Sequence, residues 1–266
     1  MVARGGPAAG YDPPVASHFE CLGFPLRPED ADGERIAEIL RGVFEGGRPV
    51  PAPEGFHAAS WESPEGIAAF AAVESGGEEG GLALRCLSPS FAGTTRAAAR
   101  VFRTLPDPAC PFCDFLHGEV RRPGADSGEP FFAEVRDGAF ARGSDLRGAG
   151  VVVQLGLLAQ HARAFRDREE FRAKRPEGAA AGSFVATGLL APPHRPRARV
   201  AGSVAAPRLL RNPLGGGEFW HARLAADAVE VDALIAAADL PGGLAEGAVL
   251  LAEGSLLVRF PDGLPG

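Results

Sequence analysis

The chain has 266 residues, 45% of them apolar and 23% charged, and a formal net charge of −7 at pH 7. These proportions exclude a chain that is disordered along its whole length, and the length is sufficient to bury a large core without disulfides. The acidic balance excludes the broad positive field on which nonspecific nucleic-acid binding depends. We therefore expect the partner to be a protein or a small molecule rather than a nucleic acid.

The start of the chain and its apolar runs bear on localisation. Residues 1–14 contain glycine, proline and aspartate without a hydrophobic stretch, so they predict a flexible tail and no signal peptide. No run approaches the 18 apolar residues that a membrane-spanning helix needs. The sequence thus predicts a cytoplasmic protein without membrane contact. Its four cysteines are expected to be reduced thiols or metal ligands: Cys21, Cys86, Cys110 and Cys113.

The N-terminal lobe, residues 15–128, is predicted to have the element order β-α-β-β-β. Residues 17–24 alternate polar and apolar side chains and predict a strand. Residues 30–44 have apolar side chains at helical spacing and end at a pair of glycines, which predicts a helix. Three strands are predicted at residues 56–62, 67–73 and 82–87. Prolines between residues 106 and 123 predict no long element from 88 to 128.

The C-terminal lobe, residues 129–266, is predicted to consist of strands separated by turns. Strands are expected at 131–140, 151–165, 184–190, 198–210, 218–224, 229–234 and 249–260, with a short charged helical segment at 167–175. This order predicts a small β-barrel, similar to the OB type, or a sandwich. The predicted fold class is therefore α+β, mostly β, with a β-α-β-β-β lobe followed by the barrel or sandwich.

The motif Cys110-Pro-Phe-Cys113 is the sharpest chemical signal in the sequence. With His117 it has a spacing that suits zinc, and Cys86 or His161 would complete the four ligands that a structural zinc site needs. The same four residues resemble the active-site tetrapeptide of glutaredoxins, which implies redox chemistry at the two thiols. A third interpretation is a pair of thiols in an irregular segment that packs against the core. The sequence leaves these three alternatives open.

A second group of candidate ligand-binding residues is Arg211, Asn212, Trp220 and His221. On a small barrel, arginines beside an exposed aromatic ring bind single-stranded nucleic acid or an anionic ligand. Four more arginines of this region contribute to the pattern: Arg195, Arg197, Arg199 and Arg208. The alternative is that the arginines are solvated and that Trp220 belongs to the core.

Five segments, at residues 17–24, 183–188, 211–221, 231–232 and 253–260, resemble an uncharacterised bacterial protein family of unknown function. That resemblance implies no activity. The β-α-β-β-β order is in turn similar to one module of the vicinal-oxygen-chelate proteins, which bind a metal through His and Glu side chains of their strands. This second resemblance implies His18, Glu20 and His57 as ligands, although no second module with matching residues follows.

The sequence contains no nucleophile motif of the G-x-S-x-G kind and no phosphate-binding glycine loop. Our leading prediction is therefore a non-catalytic cytoplasmic module that binds a protein or a small ligand. Two alternatives stand beside it. One is a zinc- or thiol-dependent protein that uses the loop of Cys110 and Cys113, and the other is an OB-type oligonucleotide binder.

Overall fold

The computed structural model describes residues 18–26, 33–76, 81–106, 110, 112–121, 128–135, 146–174, 179–190, 192–227 and 229–263. The predicted tail at residues 1–14 lies outside these ranges. The helices of the described residues are α1 (Gly33–Gly46) and α2 (Arg168–Lys174). Their strands are β1 (Arg48–Val50), β2 (Phe56–Glu62), β3 (Ile67–Ser75), β4 (Leu82–Phe91), β5 (Ala97–Pro106), β6 (Asp114–Arg121), β7 (Glu129–Val135), β8 (Gly150–Phe165), β9 (Ser183–Val185), β10 (Arg197–Arg211), β11 (Glu218–Ala225), β12 (Glu230–Ala236) and β13 (Val249–Arg259). The prediction of an α+β, mostly β protein is confirmed.

A small antiparallel sheet contains β1 to β4 in chain order. Helix α1 lies on one face of this sheet, and its buried residues Ile39 and Val43 belong to the same apolar cluster as Ala59, Ala69 and Ala71. Because these sheet residues are alanines, the helix can approach the strands closely. The other face of the small sheet carries a row of small side chains that ends at Cys86 and bears on the candidate site below.

The large sheet contains the other nine strands, in the order β11-β12-β8-β5-β6-β7-β13-β10-β9. Two further pairings, β10 with β11 and β8 with β13, close this sheet on itself. The result is two closed rings of five strands. One ring contains β8, β12, β11, β10 and β13, and the other contains β8, β5, β6, β7 and β13. The antiparallel pair β8–β13 is therefore common to both rings.

One cluster of buried apolar side chains fills the interior of both rings. Strand β8 contributes Val151, Val153, Leu155, Leu157 and Ala159, which are every second residue of the strand. Since side chains alternate between the faces of a strand, the even-numbered residues from Val152 to Leu158 point outward, before a register shift near residue 160 changes the alternation. The outward residue Leu158 belongs to the cluster that joins the large sheet to α1 and the small sheet. The alternation of residues 151–159 thus places successive side chains of β8 in two different apolar clusters.

The first predicted strand, residues 17–24, is wrong. Residues Glu20–Leu22 form a turn of 3-10 helix, and Gly23 follows with a left-handed φ of 70°. The neighbouring residues Cys21 and Leu22 are both fully buried, which a strand with one solvent face does not allow. Backbone groups of this segment bond instead to the turn after β10, where Gly217 donates its N–H to the Gly23 carbonyl at 3.0 Å. Tertiary contacts therefore override the alternation of the sequence.

The prediction that residues 88–128 contain no long element is also wrong. Strands β5 and β6 span 10 and 8 residues, and Pro106 is the last residue of β5. Proline at the end of a strand interrupts no ladder hydrogen bond in its interior, so the prolines here delimit strands rather than prevent them. Both strands belong to the large sheet, and the chain passes from one sheet to the other between Phe91 and Ala97.

Neither helix within the described ranges is long and apolar enough to cross a lipid bilayer.

Candidate functional site

Three buried cysteines meet where the loop before β6 contacts the small sheet. Cys86 lies on β4, and Cys110 and Cys113 lie just before β6. The Cys110 and Cys113 sulfurs are 2.8 Å apart, and the Cys113 and Cys86 sulfurs are 3.6 Å apart. All three sulfurs lie within 4.8 Å of one another, close enough to bind a metal. Among the described residues, this is the one group of three or more His, Cys, Asp or Glu side chains that is so close.

Local sequence explains why the loop places its cysteines here. The Cys113 N–H donates to the Cys110 carbonyl at 3.1 Å, which closes a tight turn. Inside that turn, the Phe112 ring packs against Phe56 at 5.5 Å and Phe70 at 5.6 Å between ring centroids. The aromatic contacts fix the turn on the small sheet, and the two flanking thiols are held beside it.

The small sheet leaves space for the sulfurs. Val50, Ala58, Ala72 and Cys86 are direct neighbours across the four strands, and they form one apolar cluster with the cysteine loop. Two of these four side chains are alanines, so the loop can lie close to the strands. The exposed fractions of Cys86, Cys110 and Cys113 are 8%, 9% and 5%. The cluster is therefore shielded from water but only just below the surface.

The chemistry of the cluster is that of a soft donor set. The four cysteines of the chain carry no disulfide. Hydrogen bonds with Cys110 and Cys86, together with burial, raise the pKa of the Cys113 thiol. A tetrahedral zinc ion with Zn–S bonds of about 2.3 Å holds its sulfurs roughly 3.8 Å apart. The separations of Cys113 from Cys86 and from Cys110 are near that value or shorter, and all three sulfurs lie within 4.8 Å of one another.

His117 and His161 do not join the cysteines. His117 lies on β6, and a strand advances about 3.3 Å per residue, so this side chain starts roughly 13 Å beyond Cys113. Its ring packs on Phe102 at 5.5 Å and accepts a hydrogen bond from Arg103. His161 is exposed on β8 opposite Glu253. Of the further ligands considered, Cys86 is the one that the fold brings to the pair, which gives three protein ligands.

The three ligands implied by the vicinal-oxygen-chelate resemblance do not form a close group in the structure. His18 and the Ser255 hydroxyl share a hydrogen bond of 2.8 Å. Glu20 begins the 3-10 helix, and His57 is exposed on β2. His18 and Glu20 are not on a strand, so the geometry that the resemblance requires is not present.

The side chains of Asn212 and Arg211 make hydrogen bonds to backbone groups of the turn after β10. The Asn212 side chain is fully buried and donates to the Leu22 carbonyl at 2.7 Å. Its oxygen accepts the N–H groups of Leu214 and Gly215. Arg211 donates to the Gly216 carbonyl at 3.1 Å within the same turn. These polar groups are used to join the turn after β10 to the segment of residues 18–26.

Trp220 and His221 point to opposite faces of β11. Trp220 packs against the interior of the rings, whereas His221 is buried on the outer side and contacts Arg208 at 3.1 Å. Two other arginines of the predicted patch, Arg197 and Arg199, face Glu253 on β13. The arginines are thus distributed over different contacts and do not converge beside Trp220.

His221 belongs to a buried polar network that the sequence reasoning missed. The network is centred on Asp232, whose side chain is fully buried on the outer face of β12. Its carboxylate accepts hydrogen bonds from His221 at 2.9 Å, from the Thr95 hydroxyl at 2.6 Å and from Gln154 at 3.1 Å. Because an arginine N–H can only donate, the contact with Arg208 identifies Nδ1 of His221 as an acceptor, and Nε2–H donates to Asp232.

The Asp232 network connects the crossover segment between the two sheets to strands β8, β11 and β12. Gln154 also donates to the Phe91 carbonyl at 3.0 Å, and the Phe91 ring lies 4.6 Å from the His221 ring. A Cβ atom on Gly93 would come within 2.0 Å of the Asp232 carboxylate, so only glycine fits there. Burial by itself would raise the pKa of Asp232, but the hydrogen bonds from His221 and Thr95 outweigh it and lower the pKa.

One signal in the sequence points to this network. Asp232 stands inside an apolar run, Val231-Asp-Ala-Leu-Ile235, where a charged side chain needs a buried partner. Its partners lie on β8, on β11 and in the crossover, and no local pattern links them to Asp232.

Comparison with models of known protein families, with curated proteins and with solved structures finds no match to this chain.

Proposed function

We propose that this chain is a zinc-binding protein whose metal is held by Cys86, Cys110 and Cys113, with a water molecule as the fourth ligand. The observation that carries the proposal is the convergence of three buried thiols from two separate parts of the fold. Thiolates favour soft or borderline metals such as zinc over magnesium or calcium. Zinc also has no redox chemistry of its own, which suits a metal with a structural task.

We propose that the metal stabilises the contact between the loop before β6 and the small sheet. Cys86 is fixed in the β3–β4 ladder, where it pairs with Ala72. Cys110 and Cys113 lead directly into β6 of the large sheet. A bridging ion would therefore connect the two sheets at a second point, beside the covalent crossover at residues 92–96. Because thiolate sites and reduced cysteines persist in reducing compartments, we propose the cytoplasm as the location.

Elemental analysis of protein purified without chelator tests this function directly. We expect about one zinc per chain in the wild type and less than a tenth of that in Cys86→Ser, since two remaining thiols do not make a structural site. Cys21→Ser is the matched control, because Cys21 is fully buried outside the cluster and donates to the Ala159 carbonyl. A wild type without metal, or a Cys86→Ser protein with full zinc, would refute the proposal.

A cavity at the end of α1 supports a second candidate, the binding of a small ligand. The cavity has a volume of about 450 Å³ and is lined by Gly46, Gly47, Arg48, Ser60 and Glu62. This volume is within the range of small-molecule sites. Arg48 lies directly opposite Ser60, and Glu62, which also accepts a hydrogen bond from Arg259 at 3.1 Å, follows on the same face of β2, so a cation and a paired anion line one opening. We propose that it binds a small zwitterion such as a free amino acid.

A thermal-shift assay with the twenty amino acids checks the cavity. At least one is expected to raise the melting temperature by several degrees at a concentration of about 100 times its Kd. Arg48→Gln is expected to abolish that shift, whereas Arg41→Gln, a change on the exposed face of α1, leaves it intact. If no amino acid changes the melting temperature of the wild type, this candidate fails and the zinc proposal is unaffected.

A further inference from the structure

The three sulfurs of the cysteine cluster are not equivalent. Cys110 and Cys113 belong to one turn, and their sulfurs are 2.8 Å apart, whereas Cys86 belongs to another sheet and its sulfur is 3.6 Å from Cys113. The turn is held by the hydrogen bond from the Cys113 N–H to the Cys110 carbonyl. Two of the three thiols can therefore approach each other without any movement of one sheet relative to the other.

We propose that Cys110 and Cys113 are an oxidation site at which a hydroperoxide joins the two sulfurs in a disulfide and separates them from Cys86. The release of metal in this reaction, but not the formation of the disulfide, rests on the proposed function. The small sheet would keep Cys86 as a thiol, and the loop would lose its bridge to β4.

The chemistry balances with a hydroperoxide as the oxidant. One sulfur attacks the terminal oxygen of the hydroperoxide, which breaks the O–O bond, gives a sulfenic acid and releases an alcohol, or water when the oxidant is hydrogen peroxide. The second sulfur then attacks the sulfenic sulfur, forms the S–S bond and expels hydroxide, which leaves as water. Two thiols lose two electrons and two protons in total, and the hydroperoxide receives them.

Geometry selects Cys110 rather than Cys86 as the partner of Cys113. Cys86 is held in register by the pairing of β4 with β3. The Phe112 ring between Phe56 and Phe70 keeps the turn of Cys110 and Cys113 seated while the disulfide forms. Cys21 is remote from the cluster and fully buried, and its sulfur donates to a backbone carbonyl. Cys110 is the most exposed of the three cysteines, at 9%, so we place the first attack on the hydroperoxide at its sulfur.

The consequence would be a switch in the connection between the two sheets. In the reduced state, three thiols from both sheets can share one ion. In the oxidised state, two of the three ligands are withdrawn, and a single thiol does not retain zinc. Oxidation would therefore replace the metal bridge between the two sheets by a disulfide bond within one turn.

Peptide mapping of the full chain tests the site. The reduced protein is treated with hydrogen peroxide, its remaining thiols are alkylated, and it is digested with trypsin. Cleavage after arginine places Cys86 in the peptide 86–96 and both loop cysteines in the peptide 104–121. We expect the peptide 104–121 to appear unalkylated and about 2 Da lighter than its reduced form, and the peptide 86–96 to appear alkylated. A zinc-sensitive dye should record about one ion released per disulfide, and a dithiol should reverse both changes.

The outcomes separate this site from the proposed function. A cross-link between the two peptides, or alkylated cysteines in 104–121 after the treatment, would overturn the oxidation site. A wild type that contains no zinc but yields the light peptide would overturn the zinc proposal and leave the oxidation site standing. Cys110→Ser should abolish the light peptide, and Cys21→Ser should retain it. The mapping of the wild type decides the question even where a variant does not fold.

Discussion

Replacement of Asp232 by asparagine is expected to lower the free energy of unfolding by roughly 3 kcal/mol at pH 7, because it removes the charge from a buried, fully hydrogen-bonded ion site. The asparagine oxygen can serve only some of the donors that converge there from His221, Thr95 and Gln154. Its NH₂ group would then face another donor, which leaves a buried polar group unsatisfied. Urea denaturation followed by tryptophan fluorescence measures the difference.

The loss should depend on pH in a defined direction. The pKa of Asp232 lies below its ordinary value of 3.8 in the folded protein. A carboxyl whose pKa is lowered on folding stabilises the folded state fully above its ordinary pKa, and the contribution is lost as the pH falls through the folded pKa. The difference between wild type and Asp232→Asn should therefore be constant from pH 7 to about pH 5 and shrink below about pH 4.

Glu230→Gln is the matched control for this prediction. Glu230 is the exposed first residue of the same strand, two positions before Asp232. Its replacement should change the free energy of unfolding by less than about 0.5 kcal/mol at every pH. Equal stability of Asp232→Asn and wild type at pH 7, or a difference that grows at low pH, would show that the buried network does not stabilise the crossover.

Removal of the proposed zinc ion is expected to lower the free energy of unfolding by roughly 4 kcal/mol when the free zinc concentration is about 1,000 times the Kd. The effect arises because the three cysteines are assembled only in the folded chain, so the metal binds the folded state in preference to the unfolded one. The measurement compares urea denaturation in buffered zinc with denaturation in excess chelator.

The same comparison in two variants assigns the effect to the cluster. In Cys86→Ser, zinc and chelator should give equal free energies of unfolding, because the site is already lost. In Cys21→Ser, the roughly 4 kcal/mol difference between zinc and chelator should persist. Both free energies of unfolding should be lower than in the wild type, since the change removes a buried hydrogen bond outside the cluster. A wild type that is insensitive to the chelator would contradict a stabilising role for the metal.

Elements with a clear period were predicted well. The alternation of residues 151–165 and the helical spacing of residues 36–44 correspond to β8 and α1. The errors fall where tertiary contacts decide the backbone. Residues 17–24 alternate like a strand, yet the carbonyls of Leu22 and Gly23 accept hydrogen bonds from the Asn212 side chain and from the Gly217 N–H. The closure of the large sheet into two rings depends on pairings between distant strands, which leave no local pattern in a single sequence.

The candidate site was predicted only in part, because its cysteines come from segments that are distant in the sequence. The pair Cys110 and Cys113 is visible as a local motif, and it lies in the cluster. Cys86 was one of two options for a further ligand because sequence spacing cannot place a residue of the small sheet beside the loop. His117 was expected near the pair because its spacing from the two cysteines suits a zinc site. The residues after Cys113 are a strand, which carries His117 away from the cysteines.

The strand pair shared by the two rings also imposes an order on the folding of the nascent chain. Strand β8 ends at Phe165, and its partner β13 begins only at Val249. A ribosome has to synthesise residues 166–248 before either ring can close, and both rings then close against the same strand. Pairings between such distant segments form slowly because the long intervening loop must first be ordered. Until β13 arrives, β8 exposes an unpaired edge, which is the kind of surface that chaperones bind and that aggregates recruit.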